Sequence, residues 1–302
     1  VGLGKTGALP VSVVLDDRGI YFDARTPSRL EALLMSLDWL TSDRRVAASS
    51  GLDRWRHERL SKYNVGKELP ADVDRRVAVL VDQVAGDASI PGALATAATF
   101  DAMLKAALAT YGASGIAIRS HPDVAAGKAR GHLTLAARRL GLSVLDNALS
   151  AHAVLDQAEA VWTVSSGLGF EAILRGLPVT TFAVPFYAGY GLSTDRADDP
   201  ASLSALSRRG ASRSTQELFA AAFLAYARYA DPVTLEPLTL DRAMDRLVDW
   251  RSRSRELAGG KNDLFWFLAL EAADSPRLPR RRNEFDRVWR QTVPARDLDM
   301  AH

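Results

Sequence analysis

Residues 161–196, VWTVSSGLGFEAILRGLPVTTFAVPFYAGYGLSTDR, set a strand, a serine pair, a helix and an aromatic loop one after another. Val161–Val164 is short, apolar and rich in β-branched and aromatic residues, which predicts a strand. Ser165 and Ser166 stand where a helix N-cap belongs. The helix is expected over Phe170–Arg175, stopped by Gly176, with Pro178 opening the next strand. Strand, helix, strand is the repeating unit of a parallel α/β sheet. The same turn suits an anion, because Gly167 and Gly169 let a ligand approach the backbone and the helix turns its positive end toward it. An ordinary cap has the same composition, so alone the segment says more about architecture than about chemistry.

Two further segments point to the same edge of such a sheet. Residues 115–131, GIAIRSHPDVAAGKARG, read as a strand ending in Arg119 and a polar loop with His121, Pro122, Asp123, Lys128 and Arg130. Ligands of open α/β sheets bind beyond the carboxyl ends of the strands, and His-Pro places a rigid turn behind a phosphate donor. Residues 77–90, VAVLVDQVAGDASI, begin as a buried parallel strand and put Gln83, Asp87 and Ser89 in the loop after it. Gly86-Asp87 is also ordinary turn chemistry, and Asp87 could cap the following helix.

The rest of the chain alternates strands and helices with no internal repeat. A strand is predicted at Val11–Leu15, helices over Ser28–Leu40 and Asp43–Leu60, and strands near 77, 115, 143, 161 and 179, joined by helices into parallel βαβ units. ELPADVD, ending at Asp74, reads as a domain boundary. Ser214 and Glu217 form a capping-box pair ahead of a helix with Leu218, Ala222, Tyr226 and Tyr229 on one core-facing side. Two helices are expected after Thr239, one of them containing LFWFLAL (264–270), ahead of an Arg-rich tail. That tail, with Arg280, Arg281, Arg282, Arg287, Arg290 and Trp289, suits either solvent or anionic headgroups. Gly2–Thr6 lacks the spacing and the following helix of a phosphate-binding P-loop. Ser165 or Ser166 with His121 lacks the glycine of a hydrolase elbow. His57, His132 and His152 have no metal-ligand spacing.

Composition sets outer limits. The 302 residues are 47% hydrophobic, enough for one large core or two smaller ones. With 38 basic against 36 acidic residues there is no overall field to attract nucleic acid. Cysteine is absent, so thiolate metal sites and disulfides are excluded, as suits a reducing cytoplasm. No apolar stretch reaches the roughly 18–20 residues of a membrane span.

DDRGIYFD (16–23), SKYN (61–64), VDQVAGDASI (81–90), HPDV with GKARG (121–131) and SSGLGFEAILRGLPV with PFYAGYGLSTD (165–195) together resemble the bacterial capsule-polysaccharide β-Kdo glycosyltransferases. The similarity covers about residues 1–235 and is densest from 77 to 196. The family commonly has Gly-Trp-Gly where this chain has Gly189-Tyr190-Gly191, and Thr for Ser193. It usually carries Glu-Asp-Gly-Phe just ahead of the opening Val-Gly-Leu-Gly, which implies an N-terminally truncated module lacking a first strand and one catalytic carboxylate.

The resemblance implies an α/β, GT-B-like fold of two Rossmann-like lobes, with C-terminal helices packing back on the first. It assigns residues 1–72 to an incomplete acceptor-side lobe, 73–235 to a CMP-sugar lobe, and 236–302 to helices and the Arg-rich tail. The implied reaction is retaining transfer of Kdo from CMP-β-Kdo to a glycolipid-linked acceptor, without a metal or other cofactor, by a cytoplasmic enzyme peripheral on the inner membrane. Asp87 is the implied nucleophile, with Gln83 positioning the sugar and His121 beside the leaving phosphate. Arg119, His121, Pro122, Lys128, Ser165, Ser166, Gly167, Glu171, Pro185 and Tyr187 are the implied donor contacts. Asp17, Tyr21, Lys62, Tyr63 and Asn64 are placed on the acceptor side. Two alternatives stay open: another CMP-activated acid sugar as donor, or a non-catalytic polysaccharide assembly module.

Overall fold

The computed structural model describes residues 11–62, 64, 66–69, 76–231, 234 and 236–257. Its first elements are β1 (Ser12–Val14), α1 (Arg29–Met35), α2 (Ser42–His57), β2 (Val77–Val81), α3 (Ser89–Gly92), α4 (Ala97–Tyr111) and β3 (Ile116–Arg119). There follow α5 (Pro122–Ala125), α6 (Thr134–Leu140), β4 (Ser143–Val144), α7 (Ala151–Asp156), β5 (Ala158–Thr163), α8 (Gly167–Leu174) and β6 (Val179–Thr181). The last are β7 (Thr194–Asp195), α9 (Pro200–Arg208), α10 (Thr215–Phe219), β8 (Ala227–Ala230), β9 (Pro237–Leu238) and α11 (Leu240–Leu257). The described residues form two compact units, the larger of those within 15–61 and 66–226, the smaller of those within 11–14, 62–64 and 227–257.

The larger unit is built on a six-stranded parallel sheet ordered β4-β3-β2-β5-β6-β7. Every residue of β2, VAVLV, is buried, as a central parallel strand covered on both faces requires. Phe100, Met103, Leu104 and Ala107 of α4 pack with Leu80, Ile116, Ile118 and Trp162 in its main core. Burying Phe100 or Met103 contributes about 2–3 kcal/mol each relative to exposure. The strands predicted near 77, 115, 143, 161 and 179 are all present, and β7 is an addition too short to show in the pattern. The helix expected over Phe170–Arg175 begins earlier, at Gly167, directly after the capping Ser166.

The capping box of Ser214 and Glu217 is formed, but the helix it opens is not the one its periodicity predicts. After Phe219 the backbone widens into a π-helical turn over Ala220–Tyr226, and Ala227–Ala230 is already strand. Tyr229 therefore belongs to β8, not to a helical face with Leu218 and Ala222. Widening to a π turn shifts the register by about one residue per turn, which no 3.6-residue pattern encodes.

In the smaller unit β8 pairs antiparallel with β1 and β9. Asn64, at φ 55°, donates from Nδ2 to the Leu247 carbonyl of α11 at 2.9 Å, and Arg246 pairs with Asp231 at 2.7 Å. The boundary expected at 70–74, the LFWFLAL segment and the Arg-rich tail lie outside the described residues.

A buried histidine gives the larger unit a pH dependence. His152 is held by the Leu60 carbonyl at Nε2, 2.7 Å, and by Arg175 Nη1 at Nδ1, 3.1 Å. With Arg175 donating to Nδ1, the ring is neutral and carries its proton on Nε2. Burial pushes His152 down to about 4, and the nearby Arg175 and Arg59 charges act in the same direction. Unfolded histidine titrates near 6.5, so between these values the unfolded chain binds a proton that the folded chain refuses. The contribution is complete above pH 6.5 and is lost as pH falls toward 4, on the order of 3 kcal/mol. Urea midpoints should fall from pH 7 to pH 4.5 and fall less in His152→Gln; a flat wild-type profile refutes the assignment.

Candidate active site at the carboxyl edge of the sheet

From β2 the chain winds outward through β3 and β4, then returns to β5 on the other side of β2 and winds away through β6 and β7. The strand order thus reverses between β2 and β5, and the crevice beyond their carboxyl ends is the binding position of doubly wound sheets. Gln83 follows β2 there and Ser165 follows β5. The Ser165 amide donates to Gln83 Oε1 at 2.9 Å, and Gln83 Nε2 donates to Ser165 Oγ at 3.0 Å. Both side chains are buried, and Ser89 Oγ closes a triangle with them at 3.3 Å from Gln83 Nε2 and 3.2 Å from Ser165 Oγ.

Asp87 stands in the turn that leads to α3, half-buried. Its Oδ1 accepts the Ser89 amide at 2.8 Å. The N-cap position of α3 is Ala88, so Asp87 is a turn residue rather than the helix cap, and this turn bond is its structural role. It occupies one carboxylate oxygen and is compatible with a chemical role for the other.

The His121 loop comes from β3, the next strand outward, two interstrand spacings or roughly 10 Å from β5. His121 caps α5: its Nδ1 accepts the Asp123 amide at 3.1 Å, which selects the tautomer protonated on Nε2. Pro122 follows at N1, and Lys128 is exposed. Arg119 is committed elsewhere. Its Nη1 and Nη2 donate to the carbonyls of Asp146 (2.9 Å) and Leu149 (3.0 Å), and burial lowers its pKa. The loop is tied to β2 by Asp82, a buried carboxylate unremarked in the sequence. Its Oδ1 accepts the amides of Gln83, His132 and Leu133, and its Oδ2 accepts the Thr134 hydroxyl. A Cβ on Gly131 would stand 2.2 Å from Asp82 Oδ2, which is why glycine occupies that position.

Ser166 caps α8 by accepting the Leu168 amide at 3.2 Å, which leaves its own hydroxyl hydrogen to donate. Space is open beside Gly167, with nothing within 4 Å of where its Cβ would be. Gly169 is the opposite case: Tyr187 Oη lies 2.3 Å from its would-be Cβ. Tyr187 is fully buried and donates to the Ser166 carbonyl at 2.7 Å, and burial holds its hydroxyl protonated by raising its pKa. It thus supports Ser166 through its main chain, and as a fully buried side chain it is not itself open to a donor. Glu171 is buried inside α8. The Pro185 carbonyl accepts Arg209 Nη1 at 2.7 Å, and Arg209 Nε pairs with Glu31 at 2.8 Å, with both side chains buried. Asp195 holds the aromatic loop by accepting from Thr181, Ser193 and the Gly189 amide.

Tyr190 is buried, and its hydroxyl has no hydrogen-bond partner among the described residues. An orphaned buried polar group costs about 1–3 kcal/mol, so Tyr190→Phe should raise the urea midpoint. A lowered midpoint contradicts this reading.

The DDRGIYFD segment packs beside α3. The Ala24 amide donates to the Gly92 carbonyl at 2.7 Å, and the Tyr21 ring meets Phe186 edge-on at 5.4 Å. Asp16, not Asp17, organises it, accepting the amides of Arg18, Gly19 and Arg29 and the Tyr226 hydroxyl. Asp17 is exposed and paired with Arg29 at 2.7 Å, which lowers its pKa. Asp17 and Tyr21 thus share the larger unit with the crevice. Lys62, exposed, and Asn64, buried, belong to the smaller one, and Tyr63 lies outside the described residues. Among the described residues no group of three or more His, Cys, Asp or Glu side chains has metal-binding geometry, and no helix is long and apolar enough to cross a membrane.

Known proteins are similar to this chain. The capsule polysaccharide modification protein LipA of Neisseria meningitidis serogroup B is 38% identical over 265 residues, covering 86% of this chain and 38% of LipA. The lipopolysaccharide-processing protein LpsZ of Rhizobium meliloti is 33% identical over 269 residues, covering 86% of this chain and 59% of LpsZ. The chain spans well under half the length of LipA and less than two thirds of LpsZ. Among solved structures, Thermosulfurimonas dismutans KpsC, β-Kdo 2,4 transferase, superposes with a TM-score of 0.73 at 36% identity, covering 82% of this chain and 76% of that one. Its β-Kdo 2,7 transferase superposes at 0.61 and 30% identity, covering 80% and 72%. The α/β, GT-B-like class expected from the motifs is the class of these neighbours. A family model for capsule polysaccharide biosynthesis proteins matches residues 53–229, the span that holds the switch-point crevice and all three of its loops, and the chain belongs to that family.

Proposed function

We propose that the chain is a retaining glycosyltransferase that moves Kdo from CMP-β-Kdo to a glycolipid-linked acceptor, building the β-Kdo linker of a capsular polysaccharide. The observation that carries this is the hydrogen-bonded joint of Gln83 and Ser165 at the switch point, with Asp87 on one side of it and the capped start of α8 on the other. The likeness to two KpsC Kdo transferases supplies the sugar.

In this reading the CMP phosphate lies at the start of α8, facing the Ser166 hydroxyl and the open side of Gly167, with His121 donating from Nε2. These donors face charge that grows as the glycosidic bond breaks, so they stabilise the transition state more than the bound donor. The Asp87 carboxylate attacks the anomeric carbon, and the electron pair of the breaking bond leaves with CMP. The acceptor hydroxyl then displaces Asp87, returning the carboxylate and releasing its proton to water; two inversions give net retention. No metal is required, since the leaving charge is met by protein donors. The proposed setting is the cytoplasm, at the membrane surface that presents the acceptor.

The donor assay tests this. Incubation of the chain with a Kdo-terminated glycolipid and either CMP-β-Kdo or CMP-sialic acid should give product only with the first. Transfer of sialic acid alone reassigns the sugar, because the phosphate site reads the nucleotide and not the sugar. CMP affinity without transfer of either by the intact protein identifies an assembly module.

A further inference from the structure

We infer that Ser89 is a positioning residue that couples the carboxylate turn of the site to its phosphate turn. The inference rests on the roles proposed for Asp87 and Ser165. Ser89 is the first residue of α3 and touches both halves of the crevice with different groups. Its main-chain N–H fixes Asp87 Oδ1 at 2.8 Å. Its hydroxyl lies 3.2 Å from Ser165 Oγ and accepts from Gln83 Nε2 at 3.3 Å.

The bond inventory makes this coupling specific. The Gln83 amide has two hydrogens and one oxygen. The oxygen accepts the Ser165 amide, and the nitrogen faces both serine hydroxyls at 3.0 and 3.3 Å. Each hydroxyl therefore receives a donor from Gln83, and the serine hydrogens pass to each other, to Gln83 Oε1 or to a ligand. The loop after β2 and the loop after β5 are thereby locked through one side-chain triangle. Ser89 is the corner of it that also holds the carboxylate. A phosphate drawn to the Ser165–Ser166 turn is then registered against Asp87 without Ser89 touching the reacting atoms.

Substitution by alanine keeps the N–H on Asp87 and removes only the hydroxyl, so it separates the two halves of the role. In the full chain, Ser89→Ala should lower kcat for transfer from CMP-β-Kdo by about 10- to 100-fold, the usual consequence of a small misplacement of reacting groups. The dissociation constant for CMP alone, read by calorimetry, should stay within about twofold, because the proposed phosphate contacts, Ser166, Gly167 and His121, do not include Ser89. Ser89→Thr, which restores a hydroxyl, should recover most of the lost kcat. Unchanged kcat in Ser89→Ala overturns the inference. So does a loss of CMP affinity as large as the loss of kcat, a threonine variant no better than alanine, or a collapse of the melting temperature, which would make Ser89 a folding residue. Asp87→Asn measured alongside keeps the two levels apart. Loss in Asp87→Asn with none in Ser89→Ala removes the role of Ser89 alone, whereas full turnover in Asp87→Asn removes the reading beneath it.

Discussion

Asp87→Asn is expected to lower turnover with CMP-β-Kdo by about 10³-fold or more while leaving the fold intact. Asparagine keeps an oxygen in the place of Oδ1, so it can still accept the Ser89 amide and preserve the turn that leads into α3. What it removes is the anionic oxygen that would form the bond to the anomeric carbon. An amide is a poor nucleophile and a poorer leaving group, so both steps of a double displacement fail together. The melting temperature separates this from structural damage and should move by no more than a few degrees. CMP affinity should also be retained. Turnover within tenfold of wild type, with the fold intact, eliminates Asp87 from covalent chemistry.

Glu31→Ala is expected to destabilise the larger unit by about 3–5 kcal/mol. Glu31 on α1 and Arg209 just after α9 are both almost completely buried, and Arg208 binds the same carboxylate. Paired, these charges contribute modestly, because desolvation offsets most of their attraction. Deleting the carboxylate leaves the Arg209 guanidinium buried with only the Pro185 carbonyl as a described partner, and that imbalance dominates the effect. Pro185 opens the aromatic loop that supports Ser166 through Tyr187, so CMP affinity should weaken as well. Urea denaturation gives the first quantity, and a loss below about 1 kcal/mol shows that the network is dispensable.

The parallel sheet was legible because its strands are buried on both faces and read as apolar runs; VAVLV is the plainest case. The position of the crevice was legible too, since polar residues after such runs mark the carboxyl edge. Roles within the crevice were harder to assign. Asp16 and Asp17 are adjacent carboxylates, and nothing in DDRGIYFD tells which one takes four donors and which one faces solvent. Arg119 looks like an anion contact from its place at a strand end, yet its guanidinium reaches carbonyls some thirty residues away. Asp82 and Glu31 act through partners distant in sequence, about 50 and nearly 180 residues away, so no local pattern exposes them. Gly131 was one available signal for Asp82, because a glycine before a helix often marks a close approach. The π-helical turn before β8 had no signal at all.

Calorimetric titration of CMP into the chain, its Ser166→Ala variant and its His121→Ala variant tests most directly whether the loops after β3 and β5 grip one cytidylate. Saturable binding that weakens by about tenfold in each variant is expected, from one charge-assisted hydrogen bond lost in each case. CMP that fails to bind, or that binds all three proteins equally, would show that the carboxyl-edge crevice is not the donor site.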